Sequence, residues 1–407
     1  MTGPANPPAV TPSRGLFALL GGLAFMVMAG YAVARPAIES MFIEAYTSSA
    51  LPAAWIAVGI TATAVVVFYN RMAGSALLGD LFVGTFGVSV VSLVVLLAAF
   101  RFDVPYAAFA LYVWKDVYIV ILVEIFWSFA NTVYGTESAR WTYGLFCVMG
   151  SVGGMAANLG IGALSQSIGT VNAIWLLIPI LLFSAALAME LPALGRPAIG
   201  GGSDETPRFG EGLRLIRKSR YLGLILGLIV IVQVVVTLID YQYNVMIEAA
   251  YPDTDARTAV MGQVYAVIDM GSMALQLLTG VVLAWLGVTR ALLAIPAILG
   301  AAVAAFAFAP RFLTMAVAKV ASKCFDYSLF RAAKEILYIP LSYPEKTQGK
   351  AVIDMLTYRV AKAGASILLL VVAGGWVIYV TLGLIGCWFA VIRRIAPEYQ
   401  DRATDAG

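Results

Sequence analysis

The chain has 407 residues, of which 61% are hydrophobic and 12% charged, and its mean hydropathy is +0.89. Soluble domains carry about 25% charged residues, so this chain has too little polar surface to cover a globule in water. The net charge of only +3, without a long basic block, excludes a nucleic-acid-binding tail.

Twelve apolar segments are long enough to be transmembrane helices, because a helix needs about 20 residues to cross the hydrocarbon core. Residues 1–13 lack the basic start and cleavage site of a secretory signal, so we expect the first segment to remain in the protein. The first six segments lie near 15–34, 50–70, 76–100, 104–131, 141–168 and 172–194. The second six lie near 221–248, 259–287, 290–309, 311–341, 348–374 and 376–394.

The basic, polar stretch 196–220 separates the two sets of six. It predicts an N-terminal six-helix bundle over 1–195, a cytoplasmic linker over 196–220 and a C-terminal six-helix bundle over 221–407. With both termini inside, 15 of the 26 Lys and Arg residues are cytoplasmic, and four, Arg35, Arg101, Arg257 and Arg311, lie in outer loops. Positive residues favour the cytoplasmic side, so we expect a multi-pass inner-membrane protein with both termini in the cytoplasm.

Several ionisable residues lie inside the predicted helices, where each costs about 2.5–3.5 kcal/mol on insertion scales. They are Lys115, Asp116 and Glu124, Asp240, Asp269, Lys319, Lys323, Asp326, Arg331, Lys334 and Glu335, and Arg359 and Lys362. The excess of cations on the tenth and eleventh helices favours a polar cavity that accepts an anionic small molecule. Internal ion pairs, or side chains that reach towards the membrane surface, are the alternative for any single residue.

Helical spacing sorts the charges of the tenth predicted helix. Lys319, Lys323 and Asp326 share one face, and Arg331 and Glu335 are four residues apart and can pair. Lys334 then points elsewhere, towards a ligand. The fifth helix is instead dense in glycine and alanine, which favours close helix packing. The chain has no histidine and no CxxC pair, so we expect no metal site and no cofactor.

The stretch 327–366 reads YSLFRAAKEILYIPLSYPEKTQGKAVIDMLTYRVAKAGAS. It resembles the ATP/ADP translocases of plastids and intracellular bacteria, together with their free-living bacterial relatives. The matching positions are Lys334, Glu335, Tyr338, Ile339, Pro340, Leu341, Gly349, Lys350, Ala351, Asp354, Arg359, Lys362 and Gly364. Weaker matches are residues 35–39, 125–131 and 251–253.

The resemblance implies a major-facilitator-type fold in a bacterial inner membrane, with nucleotide exchange by alternating access through a cationic cavity. The residues expected to bind substrate are Arg35, Asn131, Lys323, Lys334, Tyr338, Arg359 and Lys362. The residues expected to act in gating or proton coupling are Glu39, Glu124, Asp240, Asp269 and Glu335. We expect a monomer surrounded by lipid, with no nucleic-acid partner.

Two departures from the family pattern leave the substrate open: Ile38 replaces a lysine and Thr132 replaces a glutamate. The first hypothesis is a secondary transporter of an organic anion such as a nucleotide or another phosphorylated metabolite. The alternative is a proton-coupled transporter of a less charged or zwitterionic solute, which the loss of the lysine favours. An integral-membrane enzyme or scaffold is the least favoured class, because the sequence contains no recognisable catalytic cluster.

Overall fold

The computed structural model describes residues 13–72, 77–134, 136–192, 209–342, 344–372 and 374–405, and these are largely helical. The helices are α1 (Arg14–Tyr46), α2 (Leu51–Met72), α3 (Leu78–Arg101), α4 (Ala107–Val133), α5 (Thr136–Ile168), α6 (Thr170–Ala173), α7 (Leu177–Met189), α8 (Phe209–Lys218), α9 (Arg220–Ala250), α10 (Thr254–Phe308), α11 (Phe312–Tyr327), α12 (Leu329–Leu337), α13 (Lys350–Val371) and α14 (Val377–Asp405). A π-helical turn, Glu345–Gly349, precedes α13.

Besides Arg101, which is the last residue of α3, two arginines that we expected in outer loops lie within helices instead. The first helix was predicted to end before Arg35, but α1 continues through Pro36 to Tyr46. Proline is tolerated inside a membrane helix because neighbouring groups can satisfy the backbone that it leaves unpaired. Arg257 likewise lies in the first turn of α10 and is 2% exposed. The prediction of a loop position was wrong for both arginines.

The tenth predicted helix, 311–341, is divided into two helices. Ser328 has φ −125° and ψ −94°, outside the helical range, and it separates α11 from α12. Its hydroxyl donates to the carbonyl of Cys324, which satisfies one of the acceptors at the end of α11. Within α10 the eighth and ninth predicted helices are two helices that meet at a kink at Gly287, where φ is +73° and the backbone is not helical, close to the predicted boundary. Glycine adopts this φ without the steric cost of a side chain.

The described helices include eight that are long and apolar enough to cross a membrane. They bear apolar residues on their outer surfaces as well as inside. On α3, for example, Val88, Val91 and Val95 are 60–70% exposed at helical spacing. Exposed valines in such a stripe are suited to lipid rather than water. The chain is therefore a multi-pass, all-helical membrane protein.

The chain forms two compact units. The first unit comprises Met1–Thr47, Ala57–Ser203 and Tyr251–Met270, and the second comprises Ser48–Ile56, Asp204–Ala250 and Gly271–Gly407. The beginning of α10 therefore packs with the first unit, although it follows the predicted linker in sequence. The predicted division at 196–220 stays a prediction.

Small residues allow three helices of the first unit to approach closely. A Cβ added to Gly153 of α5 would lie 2.3 Å from the carbonyl oxygen of Phe25 on α1. A Cβ added to Gly262 of α10 would lie 2.4 Å from the carbonyl oxygen of Asn158 on α5. No side chain fits at either position, so the packing role predicted for the small residues of the fifth helix is confirmed.

Candidate functional site

The first charged cluster surrounds Glu39 on α1, in the first unit. Glu39 Oε1 lies 3.6 Å from Arg35 Nε, one turn earlier, and 3.4 Å from Lys115 Nζ on α4. The hydroxyl of Tyr265, on α10, donates to Glu39 Oε2. The guanidinium of Arg35 lies 3.9 Å above the ring of Tyr265. We call Arg35, Glu39, Lys115, Asp116 and Tyr265 the Glu39 cluster.

Lys115 is the most deeply buried cation of this cluster, with 1% of its side chain exposed. Besides Glu39, its Nζ contacts Asp116 Oδ1 at 2.9 Å and lies 4.0 Å above the ring of Tyr112. The hydroxyl of Tyr31 donates to the same oxygen of Asp116 at 3.4 Å. Burying a charge costs several kcal/mol unless it is paired, and here two cations meet two carboxylates. The sequence identified Lys115 as intramembrane but did not single it out as a site residue.

The remaining predicted residues of the first unit are exposed or have other described partners. Asp269 Oδ2 accepts a hydrogen bond from Asn158 Nδ2 at 2.9 Å. Asn131 is exposed, and its Oδ1 accepts a hydrogen bond from Tyr143 at 2.7 Å. Glu124 is exposed on α4. The structure therefore joins Arg35 to Glu39 and does not bring Glu124 or Asn131 to them.

The second charged cluster lies between α9 and α11, in the second unit. Asp240 Oδ1 lies 2.6 Å from Lys319 Nζ, and Asp240 Oδ2 lies 2.8 Å from Lys323 Nζ. The spacing on α11 therefore places both lysines on one face, as predicted. The aromatic rings of Tyr243 and Tyr327 lie 5.1 Å from Lys319 Nζ and 5.8 Å from Lys323 Nζ. We call Asp240, Lys319 and Lys323 the Asp240 cluster.

Asp326, at the end of α11, has a different neighbour. Its Oδ1 accepts a hydrogen bond from the amide of Gln233 on α9 at 3.3 Å. Because it follows Lys323 by three residues, it adds a second carboxylate to this region of the unit. Two lysines and two aspartates thus lie in this region, and Arg331 is a further cation near Asp326.

The third charged cluster lies at the junction of α12 and α13. Glu335 Oε2 lies 2.5 Å from Lys350 Nζ, and Glu335 Oε1 lies 3.7 Å from Lys334 Nζ. Lys350 Nζ is also 5.1 Å from the ring of Tyr338, which is buried. The spacing allows Glu335 to pair with Arg331. The ion pairs described for Glu335 are with the two lysines, and Arg331 is exposed.

The last two predicted cations lie on α13. Lys362 is half-buried, with its Nζ 5.6 Å from the ring of Trp55. The side chain of Arg359 lies outside the described part of the structure. The two departures from the family pattern are both accommodated locally. Ile38 is fully buried in α1, and the hydroxyl of Thr132 donates to the carbonyl of Ser128 at 2.8 Å.

Comparisons with known proteins bear on these clusters. A model of the TLC ATP/ADP transporter family matches residues 307–399. The chain is 23% identical over 333 residues to ADP,ATP carrier protein 1 of Rickettsia bellii, covering 69% of this chain and 66% of the carrier. It is 27% identical over 300 residues to ADP,ATP carrier protein 1 of Chlamydia muridarum, covering 63% of this chain and 57% of the carrier. The chain thus spans less than two thirds of the length of either carrier.

The fold is similar to that of a solved transporter. A single-residue mutant of the nucleoside transporter NupG superposes with a TM-score of 0.70 at 10% identity, covering 95% of this chain and 99% of that one. At this identity the likeness concerns the fold alone. These matches confirm the resemblance that the stretch 327–366 indicated, and the matched proteins are carriers and transporters rather than enzymes.

Proposed function

We propose that this chain is a secondary active transporter that exchanges an organic anion, a nucleotide or another phosphorylated metabolite, by alternating access. The observation that supports this most directly is that two clusters of the second unit each set two lysines around one carboxylate. Lys319 and Lys323 meet Asp240, and Lys334 and Lys350 meet Glu335. Clustered ammonium groups in a membrane segment are suited to phosphate groups.

The position of these lysines adds a second support. All four lie within residues 307–399, which the ATP/ADP transporter model matches. The names of the similar carriers indicate ADP and ATP as the first substrates to examine.

The proposed architecture has twelve transmembrane helices in two six-helix bundles, as a monomer in the bacterial inner membrane. The eight apolar spans, the likeness to NupG along 95% of this chain and the charge bias of the predicted loops support it. The bias also supports the proposed cytoplasmic location of both termini. Cysteine labelling at introduced sites beyond each terminus, in intact cells and in inverted vesicles, tests this orientation.

Exchange in liposomes tests the proposed function. Purified protein is reconstituted with unlabelled ADP inside, and the uptake of labelled ATP is followed. We expect saturable uptake that requires nucleotide inside and that excess external ADP inhibits. If neither ATP nor ADP is taken up and neither raises the melting temperature, the nucleotide version of the proposal is wrong.

Proton-coupled transport is the second candidate, and Asp269 is the observation that favours it. The hydrogen bond described for its carboxylate comes from a neutral amide, Asn158, whereas Asp240 is held by two lysines. An amide stabilises a carboxylate less than two ammonium groups do, so Asp269 can take up and release a proton at lower cost than Asp240. An imposed pH gradient should then drive uptake by the wild type but not by Asp269→Asn. If the pH gradient does not change the uptake, the result counts against proton-coupled transport.

A further inference from the structure

We propose that Asp240 is a built-in counter-anion, which occupies the site of the two lysines Lys319 and Lys323 in the empty carrier and is displaced by a phosphate group of the substrate. This inference rests on the proposed transport of an organic anion. In this inference Asp240 controls the affinity for that anion. Lys319 and Lys323 contact its phosphate group.

The geometry of the cluster is that of an occupied anion site. Each carboxylate oxygen of Asp240 meets one lysine, Oδ1 with Lys319 at 2.6 Å and Oδ2 with Lys323 at 2.8 Å. A phosphate group likewise offers two anionic oxygens on one central atom, and can therefore bridge the same pair of ammonium groups. The carboxylate and the phosphate then compete for the same donors.

Accessibility places the carboxylate on the open side of the cluster. The exposed fraction of the side chain is 19% for Asp240, 10% for Lys323 and 2% for Lys319. The carboxylate is therefore the most exposed group of the cluster, and Lys319 is the least exposed. Displacement of Asp240 uncovers the lysines, whereas a carboxylate buried behind them would be a permanent partner.

The lysines have reasons to stay in place when the carboxylate leaves. They are one turn apart on α11 and are held to one face by the same helix backbone. The rings of Tyr243 and Tyr327 lie 5.1 Å and 5.8 Å from their ammonium groups, close enough for a cation–π attraction. The site thus keeps its shape while its counter-ion is exchanged.

The charge of the region changes with the position of Asp240. With Asp240 in place, its carboxylate offsets one of the two lysine charges, and Asp326 is a second carboxylate near Lys323. When Asp240 withdraws, Asp326 remains bonded to Gln233 and the surroundings of the two lysines become more positive by one charge. Asp240 therefore lowers the affinity for anions, and it aids release of the substrate by returning to the lysines.

The competing explanation is that the cluster only joins α9 to α11. Both explanations predict that Asp240→Asn lowers the melting temperature, because two buried lysines lose a counter-ion. They differ in what an added anion does. A counter-anion role predicts that an external anion replaces the missing carboxylate, and a purely structural role does not.

The experiment measures thermal unfolding of the purified, full-length protein in detergent with increasing pyrophosphate, at constant ionic strength set with chloride. For Asp240→Asn we expect a lower melting temperature than wild type without pyrophosphate, and recovery of most of that loss with it. We also expect pyrophosphate to bind this variant roughly tenfold more tightly than wild type, which corresponds to about 1.4 kcal/mol. Asp269→Asn is the matched control, since it removes an aspartate whose described partner is an amide, and it should show no recovery.

Two outcomes would overturn the inference. One is an Asp240→Asn protein that pyrophosphate stabilises no more than wild type. If that variant does not fold, the double variant Lys319→Met with Asp240→Asn restores the net charge of the wild type. It should fold and lose its response to pyrophosphate, and a retained wild-type response would equally overturn the inference.

The result also separates this inference from the proposed substrate. If wild-type protein exchanges neither ATP nor ADP in liposomes but pyrophosphate still restores Asp240→Asn, the nucleotide proposal fails and the counter-anion role stands. If wild-type protein exchanges ATP or ADP but pyrophosphate does not restore Asp240→Asn, the nucleotide proposal stands and the counter-anion role fails.

Discussion

Arg257 and Glu44 form an ion pair between residues that are 213 positions apart in the sequence, with Arg257 Nη2 lying 2.9 Å from Glu44 Oε2. The same guanidinium donates to three carbonyl groups, those of Ser40 at 3.0 Å, Tyr251 at 3.3 Å and Pro252 at 3.2 Å. Arg257 is 2% exposed. Within the first unit, this one side chain ties the beginning of α10 to the end of α1.

Because Arg257 makes these contacts, we expect its removal to lower the stability of the protein markedly. We expect Arg257→Ala to lower the free energy of unfolding by about 2–4 kcal/mol, because charge-assisted hydrogen bonds and packing are lost inside a dry interface. Glu44→Ala should cost about 0–1 kcal/mol, because the Glu44 side chain is 59% exposed and its ion pair is screened by water. Thermal unfolding in detergent measures both.

Arg101→Ala, which changes an exposed arginine at the end of α3, is the control for loss of a positive charge and should resemble wild type. Equal destabilisation by Glu44→Ala and Arg257→Ala would contradict the importance of the carbonyl contacts and would assign the stability to the ion pair.

Sequence reasoning located the charged residues better than it located their partners. The spacing of Lys319 and Lys323 placed them on one face, because spacing within a helix is local information. Their common partner Asp240 lies 79 positions from Lys319, and the pairing of two helices is decided by tertiary packing. The same limit applies to Tyr265, whose bond to Glu39 links positions 226 apart and leaves no trace in the local pattern.

Loop boundaries were the weakest part of the sequence prediction. Pro36 beside Arg35 is typical of a helix end in water, where proline breaks the hydrogen-bond ladder. In this protein α1 continues, because Arg35 finds a carboxylate at Glu39 and a ring at Tyr265. The sequence did not predict the division at Ser328, because a single serine within a long helical pattern, without glycine or proline beside it, carries no signal that a helix ends there.

Replacing either of two glycines of α5 with alanine should change stability in opposite directions. Gly153→Ala should destabilise the protein by about 1–3 kcal/mol, because its Cβ would lie 2.3 Å from the backbone oxygen of Phe25 and the helices would have to separate. Gly160→Ala should be neutral or stabilising by up to about 1 kcal/mol, since nothing lies within 4 Å of its Cβ and alanine favours helix. Melting temperatures of the two variants, compared with wild type, measure the difference. A similar loss in both would mean that α5 and α1 do not pack through Gly153.

We expect that removal of the Lys334 side chain impairs transport and leaves the protein folded. Its Nζ lies 3.7 Å from Glu335, which also holds Lys350, so Glu335 keeps a counter-ion when Lys334 is removed. We expect Lys334→Ala to lower ADP exchange in liposomes at least roughly tenfold, about 1.4 kcal/mol, with little change in melting temperature. Arg311→Ala, an exposed cation just before α11, is the matched control and should exchange normally. Full exchange by Lys334→Ala would show that the resemblance to the ATP/ADP translocases does not extend to this residue.

Glu39 allows the structural and the transport role of one carboxylate to be separated. Glu39→Gln leaves Arg35 and Lys115 with Asp116 as the remaining carboxylate of the cluster, so a buried region gains a charge of +1. We expect a loss of about 1–3 kcal/mol in stability, less than for a fully unpaired buried charge because Asp116 remains, together with a loss of exchange. The double variant Arg35→Met with Glu39→Gln restores neutrality and should recover the melting temperature.

If the Glu39 cluster serves only to hold α1 against α4 and α10, exchange should recover with stability in that double variant. If Arg35 and Glu39 act in substrate binding and gating, the stabilised double variant should still fail to exchange ADP, and we expect this second result. Glu190→Gln provides the reference, because Glu190 is exposed at the end of α7 and lies outside the Glu39 cluster, so its substitution should leave both melting temperature and exchange unchanged.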